Sequence, residues 1–364
     1  MDKTEERSIS ICTVSMNRLY HLRETLPRNI DDNAGYKRLQ LVLLDYNSND
    51  QLEDWVRTHL HNHLDSGRLV YYKYPHAKAF DMAHSKNMAI KLADNEIICL
   101  VDADNYTGPG YAKYVNSVFN KNQESFITSI AKGKSINPVD VLGRVALRKS
   151  DFMAIEGFDE YMSNYGHDDF DLCSRLELLG RKRVVLRDSK YLMAITHTDE
   201  ERTSNHKLAS NLAHLYISHV SYCRTKVLCL FKDNTYKHGT IVDNRYTRSQ
   251  SVSTAFRGAI TREFSLENSW ESGAWMAVDN AITINPDNES DKFNDAHSRR
   301  KINLDNYFLI NDEEMKNRFI IIVSALINKE KLLGNKKSKA ASVNGGVFGE
   351  GEVFRNFSNE PIFV

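Results

Sequence analysis

The chain of 364 residues has no excess of charge and no run of apolar residues long enough to cross a membrane. Its 48 basic and 48 acidic residues give a formal net charge of zero, so the overall balance indicates no nucleic-acid partner. The longest late apolar run, residues 319–327, is too short to span a bilayer and is expected to be buried. Any polyanion that binds this chain must be recognised locally.

The sequence also gives no reason to expect disulfide pairs or a secretory leader. The five cysteines are an odd number, contain no CxxC motif and lie mostly in apolar runs, as expected for reduced core residues. The first ten residues are charged and contain no apolar stretch typical of a signal peptide. We therefore expect a cytoplasmic protein. Association with the inner face of the membrane and assembly into a homo-oligomer stay open.

What the sequence does contain is a regular alternation of strand and helix patterns in its first hundred residues. Leu19, Leu22, Leu26 and Ile30 have the spacing of one helix face. The pattern predicts βαβ units on a mostly parallel sheet, which is an α/β fold. The predicted strands are 9–14, 39–44, 68–74 and 96–101, and the third predicted helix is 80–94.

The remaining chain is less regular. We predict a helix near 111–120, strands over 125–131 and 145–152, and a helix that starts near Asp168. Residues 212–231 have a helical pattern, 232–300 show no clear period, and 338–364 indicate turns and short strands or a flexible cover. This suggests a domain over 1–204 and a helical or irregular extension over 205–364, which could bind the acceptor, a partner or a second copy.

Two aspartates follow the fourth predicted strand. Side chains two apart on an extended strand share a face, so Asp102 and Asp104 form half of a cage for Mg²⁺ or Mn²⁺. Water and the phosphate oxygens of a diphosphate would complete the coordination shell. The alternative is a solvated turn, because aspartate is common where strands end.

Five sequence blocks occur in an order that resembles a known family. They are TVSMNR (13–18), LVLLDYNSND (41–50), AHSKNMAI (83–90), LVDADN (100–105) and GFDEYMSNYGHDDFDLCSRL (157–176). The chain resembles glycosyltransferases of the GT-A fold, family 2 type, with a C-terminal block similar to the galactosyltransferase and chondroitin polymerase type. Five blocks in the right order are far more specific than any one of them.

The resemblance implies a set of nucleotide-binding residues. Asp45 would contact the base of the nucleotide, with the backbone of Thr13 to Ser15 flanking it, and Asp102 would contact the ribose or a bridging water. The remaining residues of the matching blocks that we assign to the nucleotide are Asn17, Arg18, Lys86 and Asn87. Three positions depart from the family pattern: Tyr46 and Asn47 replace Asp and Gly, and Lys86 replaces Arg.

The same resemblance implies the metal ligands. Asp104 would bind the ion directly, with Asp102 beside it, and His197 stands where many members supply a further ligand. His206 is the alternative to His197, and His167 is a weaker candidate. Imidazole suits Mn²⁺ better than it suits Mg²⁺.

The acidic block at 166–171 holds the candidate base. The resemblance places Asp169 at the catalytic base and Asp168 at a glutamate, and this shorter side chain leaves open which of the two is the base. A carboxylate can take the proton of an attacking hydroxyl, and neighbouring carboxylates raise its pKa. The alternative is helix capping, and Asp171 with Arg175 has the spacing of a helix ion pair. We assign Asp169 to the chemistry, Asp168 to acceptor orientation and Asp171 to structure.

The resemblance, together with these residues, implies a metal-dependent glycosyltransferase. It would move a sugar from a UDP-sugar to a hydroxyl of a saccharide or glycolipid acceptor, with inversion, in capsule or lipopolysaccharide synthesis. Two alternatives remain: a retaining enzyme of the N-acetylgalactosaminyltransferase type, and a non-catalytic protein that binds nucleotide-sugar or glycan. A nucleotidyltransferase is disfavoured because the segment after the first strand lacks a glycine-rich basic loop.

Overall fold

The computed structural model describes residues 5–132, 140–244, 263–267, 270–278, 281–287 and 299–364. The chain divides into two compact units, Met1–His197 with Glu330–Val364 and Thr198–Lys329. This division differs from the expected 1–204 and 205–364, because residues 330–364 belong to the first unit.

The elements up to residue 197 follow one another closely. In chain order they are β1 (Ile9–Ser15), α1 (Leu19–Asp32), β2 (Leu39–Asp45), α2 (Leu52–His59), α3 (His61–Asp65), β3 (Leu69–Lys73), α4 (Met82–Leu92), β4 (Ile97–Leu100), β5 (Asn105–Tyr106), α5 (Tyr111–Lys121), β6 (Ser125–Thr128), β7 (Val145–Arg148), α6 (Lys149–Ala154), α7 (Asp168–Leu178), β8 (Lys182–Val185), a 3₁₀ turn (Ser189–Tyr191) and β9 (Met193–Ala194).

The later elements are mostly strands. They are α8 (Asp199–Thr203), α9 (Lys207–Asn211), β10 (Leu212–Ser221), β11 (Arg224–Phe231), β12 (Thr235–Asp243), β13 (Phe264–Leu266), β14 (Glu271–Val278), β15 (Ala281–Pro286), β16 (Arg300–Ile302), β17 (Phe308–Leu309), α10 (Glu313–Ser338), β18 (Glu352–Arg355) and β19 (Pro361–Phe363).

The first unit is built on a nine-stranded sheet of order β19-β18-β3-β2-β1-β4-β7-β6-β8. The four central strands are parallel, which confirms the predicted α/β fold, and antiparallel strands extend both sides. The predicted strand over 145–152 was too long, because the chain turns into α6 at Lys149. Residues 338–364, expected to form turns and short strands, supply the edge pair β18 and β19.

The central strands are apolar on both faces. Ile9 and Ile11 belong to a core cluster shared with α1, α2 and α5, whereas Cys12 and Val14 belong to a second cluster shared with α4 and α7. Successive side chains of a strand point to opposite faces, so a strand covered by helices on both sides needs a continuous apolar run. The parallel strands therefore carry their polar residues at their ends.

The second unit contains an antiparallel sheet of order β16-β15-β14-β12-β11-β10-β17, with β13 paired to β12. The helix predicted over 212–231 is wrong: this segment is the hairpin of β10 and β11. Val227 and Cys229 pack on one face with residues of α10, and Leu228 and Leu230 pack on the other. A strand buried on both faces has no period-2 alternation, and its apolar run resembles a buried helix.

The apolar run 319–327 lies in α10, and Ile320 to Val323 are buried as expected. Across the described residues, no helix has both the length and the apolarity needed to cross a bilayer.

Candidate functional site

Asp45 is the last residue of β2 and lies at the carboxyl edge of the parallel strands. The Tyr71 hydroxyl donates a hydrogen bond of 2.7 Å to Oδ2, and the Ser48 backbone N–H donates one of 2.7 Å to Oδ1. Burial raises the pKa of Asp45, and these two hydrogen bonds oppose the rise. The sequence analysis did not identify Tyr71, which lies inside an apolar strand.

Thr13 and Ser15 lie near the end of the neighbouring strand β1, and both are buried. The Thr13 hydroxyl donates to the Val101 carbonyl at 2.8 Å, and the Tyr46 N–H donates to the Ser15 carbonyl at 2.7 Å. These hydrogen bonds connect the carboxyl ends of β1, β2 and β4 to one another.

Asn17 and Arg18 lie in the turn between β1 and α1. Asn17 has a left-handed backbone (φ 56°), its N–H donates to the Ser48 hydroxyl at 3.0 Å, and its side-chain oxygen accepts from the Asn49 N–H at 2.8 Å. Arg18 donates to the Tyr20 hydroxyl at 2.5 Å. Asn17 thus ties the two loops that follow β1 and β2.

Asp104 faces His197 across the edge of the sheet, and His197 Nε2 lies 2.7 Å from Asp104 Oδ2. Strands β5 and β9 bring them together: they pair antiparallel, and the Ile195 N–H then donates to the Asp104 carbonyl at 2.8 Å. The structure therefore places together two residues that the sequence analysis assigned to the metal.

A buried arginine is linked to Asp104 through the side chain of Asn105. The Asn105 side chain donates to Asp104 Oδ1 at 2.7 Å, and Arg144 donates to Asn105 Oδ1 at 3.1 Å. Arg144 also donates to the Tyr191 carbonyl and is completely buried. The sequence analysis missed Arg144 because an arginine at the start of a strand carries no motif.

Asp102 has a different environment from Asp104. A Cβ on Gly143 would lie only 2.6 Å from Asp102 Oδ2, so the carboxylate packs directly against a glycine. Burial raises the pKa of Asp102, while the charges of Lys86 and Arg144 oppose the rise. Burial also acts on Asp104, but the hydrogen bond and charge of His197 outweigh it and lower the Asp104 pKa.

The donor chemistry at Asp104 and His197 fits a divalent cation. A carboxylate that stays ionised and an imidazole nitrogen are suitable ligands for Mn²⁺. In the part of the chain that the structure describes, no group of three or more His, Cys, Asp or Glu side chains is arranged to hold a metal. Asp102 is thus not brought into a three-ligand set, and an ion here would take its other ligands from diphosphate and water.

The second acidic block surrounds Lys86. The Lys86 ammonium lies 3.1 Å from Asp168 Oδ2 and 3.1 Å from Asp169 Oδ1, and 4.8 Å from the centre of the Phe158 ring. Helix α7 starts after His167, which occupies the N-cap without a side-chain hydrogen bond to the helix. Neither Asp168 nor Asp169 is therefore the capping residue, and both carboxylates instead contact a lysine.

This cluster shifts the pKa values of Asp169 and Lys86. Burial and the charge of Asp168 raise the pKa of Asp169 to about 7, although Lys86 opposes them. Burial alone would lower the pKa of Lys86, but Asp168, Asp169 and Asp102 outweigh it, so the net shift is upward and the lysine stays charged. Asp169 is therefore able to exchange a proton near neutral pH.

Asn87 is turned into the protein next to Lys86. Its side chain donates to the Phe158 carbonyl at 3.0 Å and accepts from the Phe158 N–H at 2.7 Å. It also donates to Glu160 Oε1 at 2.8 Å. In this structure Asn87 fixes the loop that carries Phe158 to Lys86.

Two further predictions concern the pair of Asp171 and Arg175, and His206. Arg175 Nε lies 2.6 Å from Asp171 Oδ2, and both side chains are buried, as in a structural ion pair. His206 precedes α9 in the second unit.

Comparison with known proteins shows a similarity for part of the chain. Residues 10–166 match the model of glycosyl transferase family 2, and comparison with curated proteins gives no match. Among solved structures, the mannosyltransferase PcManGT from Pyrobaculum calidifontis, in complex with GDP-Man and Mn²⁺, is 19% identical with a TM-score of 0.41; the match covers 51% of this chain and 56% of that one. S. aureus TarS 1-349 with UDP is 15% identical with a TM-score of 0.41, over 53% and 62% of the two chains.

The matches thus cover less than two thirds of these two solved chains, at 56% and 62%. The match to the glycosyl transferase family 2 model therefore covers the part of the chain that carries the parallel strands β1 to β4.

Proposed function

We propose that the chain transfers a sugar from a UDP-sugar to a hydroxyl of a saccharide or glycolipid acceptor, using Mn²⁺ or Mg²⁺ and inverting the anomeric configuration. One observation carries this proposal: two carboxylate sites in the same unit have different partners, since His197 Nε2 lies 2.7 Å from Asp104 and the Lys86 ammonium lies 3.1 Å from both Asp168 and Asp169. The pKa of Asp104 is lowered beside His197, whereas that of Asp169 is raised to about 7. Such a divergence separates a residue that must stay charged from one that must exchange a proton.

The donor would be held along the edge formed by β1, β2 and β4. Asp45 would accept a hydrogen bond from the base, and Asp102 would contact the ribose. Asp104 and His197 would hold the divalent ion, which stabilises the charge that develops on the departing diphosphate. Lys86 forms ion pairs with Asp168 and Asp169 of α7. It would therefore act on the reaction by positioning these two carboxylates and not by binding the donor directly.

The acceptor hydroxyl would be activated by Asp169. As the hydroxyl oxygen bonds to the anomeric carbon, the bond from that carbon to the diphosphate breaks and the hydroxyl proton passes to Asp169. A general base works best when its pKa is near the working pH, which supports Asp169 as the base. A single displacement of this kind requires one base and no protein nucleophile, which favours inversion.

The resemblance to chondroitin polymerase-type enzymes supports a growing surface polysaccharide as the acceptor, such as capsule or lipopolysaccharide. We place the reaction in the cytoplasm, where UDP-sugars are available, at the inner face of the membrane. The extension beyond the family match would bind the acceptor or a second copy. These assignments rest on analogy, since site geometry, not fold, determines the substrate.

The test is release of UDP from a panel of UDP-sugars, with and without Mn²⁺. We expect metal-dependent turnover that falls about 10² to 10⁴-fold in Asp169→Asn and in Asp104→Ala. Asp65→Asn, a matched change at an exposed position at the end of α3, should behave as wild type. Binding of UDP measured by calorimetry should weaken in Asp104→Ala and persist in Asp169→Asn.

The proposal is wrong if the chain binds no uridine nucleotide, or if both site variants turn over at the wild-type rate. Nuclear magnetic resonance of the product determines the anomeric configuration: a retained anomer would favour the N-acetylgalactosaminyltransferase-like alternative. Binding of UDP-sugar without turnover on any acceptor would favour the non-catalytic alternative.

A further inference from the structure

The edge hairpin, residues 352–363, makes an unusual contact with β3. Strand β18 pairs antiparallel with β3, and the residue after it, Asn356, then bonds to Tyr71 in both directions. The Asn356 N–H donates to the Tyr71 carbonyl at 2.8 Å, and the Tyr71 N–H donates to Asn356 Oδ1 at 2.9 Å. Asn356 thereby satisfies both backbone groups of one residue at the end of the sheet pairing.

The next residue, Phe357, covers the Tyr71 side chain. The two ring centres lie 5.0 Å apart with an interplanar angle of 32°, and the Arg57 guanidinium lies 4.3 Å from the Phe357 ring centre. Asn356 and Phe357 both have left-handed backbones, with φ of 45° and 66°. This conformation is unfavourable for a residue with a bulky side chain and persists only where surrounding contacts fix it.

Tyr71 connects the hairpin to Asp45 at the carboxyl edge of the parallel strands. Its ring is completely buried, and its hydroxyl donates to Asp45 Oδ2 at 2.7 Å. A donor at this position favours the ionised carboxylate in a buried setting. An ionised carboxylate with free lone pairs can accept a hydrogen bond from a ring N–H of a nucleotide base, which a protonated one does less well.

We propose that Asn356 and Phe357 are positioning residues for recognition of the nucleotide base, acting through Tyr71 on Asp45. The inference rests on the proposed function, in which Asp45 contacts the base. It assigns a specificity role to a hairpin that lies outside the family match at 10–166. In the proposed function the diphosphate and the metal are bound at Asp104, which lies in a different segment from Tyr71 and the hairpin.

The experiment uses the full chain and measures dissociation constants for UDP and for ADP, each with Mn²⁺, by calorimetry. Wild type should bind UDP more tightly than ADP. In Tyr71→Phe and Phe357→Ala we expect UDP affinity to fall about tenfold, the loss typical of one charged hydrogen bond, with ADP affinity unchanged. Phe357→Tyr, which keeps the ring, should restore UDP affinity.

The control is Phe363→Ala in the same hairpin, where the side chain is 75% exposed. It should leave both affinities unchanged. A purely structural role of Phe357 would lower the melting temperature and both affinities together, and Tyr71→Phe guards against misfolding because it keeps the packed ring. If wild type prefers UDP and the variants keep that preference, this inference is overturned and the proposed function stands. If wild type shows no preference for UDP, both fail.

Discussion

Replacing Lys86 with methionine removes the only cation that the structure places within 4 Å of Asp168 and Asp169 among the described residues. Methionine keeps most of the length of the side chain but none of the charge. The lysine side chain is 3% exposed, so the two carboxylates lose a buried partner. Breaking a buried ion pair in this way costs about 3–5 kcal/mol. At about 2–4 °C per kcal/mol, we expect the melting temperature to fall by about 6–20 °C.

The same change should alter the pH dependence of catalysis. Lys86 lowers the pKa of Asp169, which burial and Asp168 raise to about 7. Without the ammonium, that pKa moves further above 7, so the base is protonated at neutral pH. The acid limb of kcat/KM should therefore move to higher pH, and activity lost at neutrality should return as the pH rises. Each unit of displacement means a tenfold lower rate on that limb.

The assay is initial-rate UDP release across mildly acidic to alkaline pH, with calorimetric melting of the same samples. Lys121→Met, at an exposed position at the end of α5, is the matched control. Combining Lys86→Met with Asp168→Asn removes the carboxylate charge that raises the pKa of Asp169. The acid limb of kcat/KM should therefore move back to lower pH, toward its wild-type position. An acid limb that stays in place, or moves to lower pH, would refute the assignment of Asp169 as the base.

Three further changes test separate parts of the site. His197→Ala should weaken Mn²⁺ binding at least about tenfold in the presence of UDP, measured by electron paramagnetic resonance, whereas His61→Ala should not. Gly143→Ala places a Cβ 2.6 Å from Asp102 Oδ2, and we expect kcat/KM to fall at least about tenfold; an unchanged rate would contradict the tight packing. Arg175→Met breaks a buried pair with the carboxylate four residues earlier, so melting should fall by a similar amount to the lysine variant, with an unchanged pH profile.

The central strands and their polar ends could be predicted because the information is local. An apolar run buried on both faces ends at the edge of the sheet, so Asp45 and the Asp102/Asp104 pair could be located from the run lengths alone. The pairing of Asp104 with His197, the proposed metal ligands, could be predicted only through the family resemblance. Its geometry depends on two-residue strands, β5 and β9, which are too short to have a periodic pattern.

The rest of the site depends on contacts between distant parts of the sequence. Tyr71 is separated from Asn356 by 285 residues, and Arg144 is separated from Asn105 by 39. Nothing in the sequence near Tyr71 distinguishes it from the other apolar residues of β3. The hairpin of β10 and β11 was mistaken for a helix for a related reason, since burial on both faces removes the alternation that identifies a strand.

Asp104 and Asp169 also show why an acidic motif does not by itself define a role. Burial acts on both carboxylates in the same direction and raises the pKa. The difference comes from the neighbour that each element delivers: the chain after β9 brings an imidazole to Asp104, while the first turn of α7 brings a second carboxylate to Asp169. A carboxylate that binds a metal must stay ionised, whereas a general base needs a pKa high enough to accept a proton. Exchanging the imidazole beside Asp104 with the carboxylate beside Asp169 would therefore impair both proposed roles. In the proposed function, the roles of Asp104 and Asp169 therefore follow from the neighbours that the fold places beside them, His197 and Asp168.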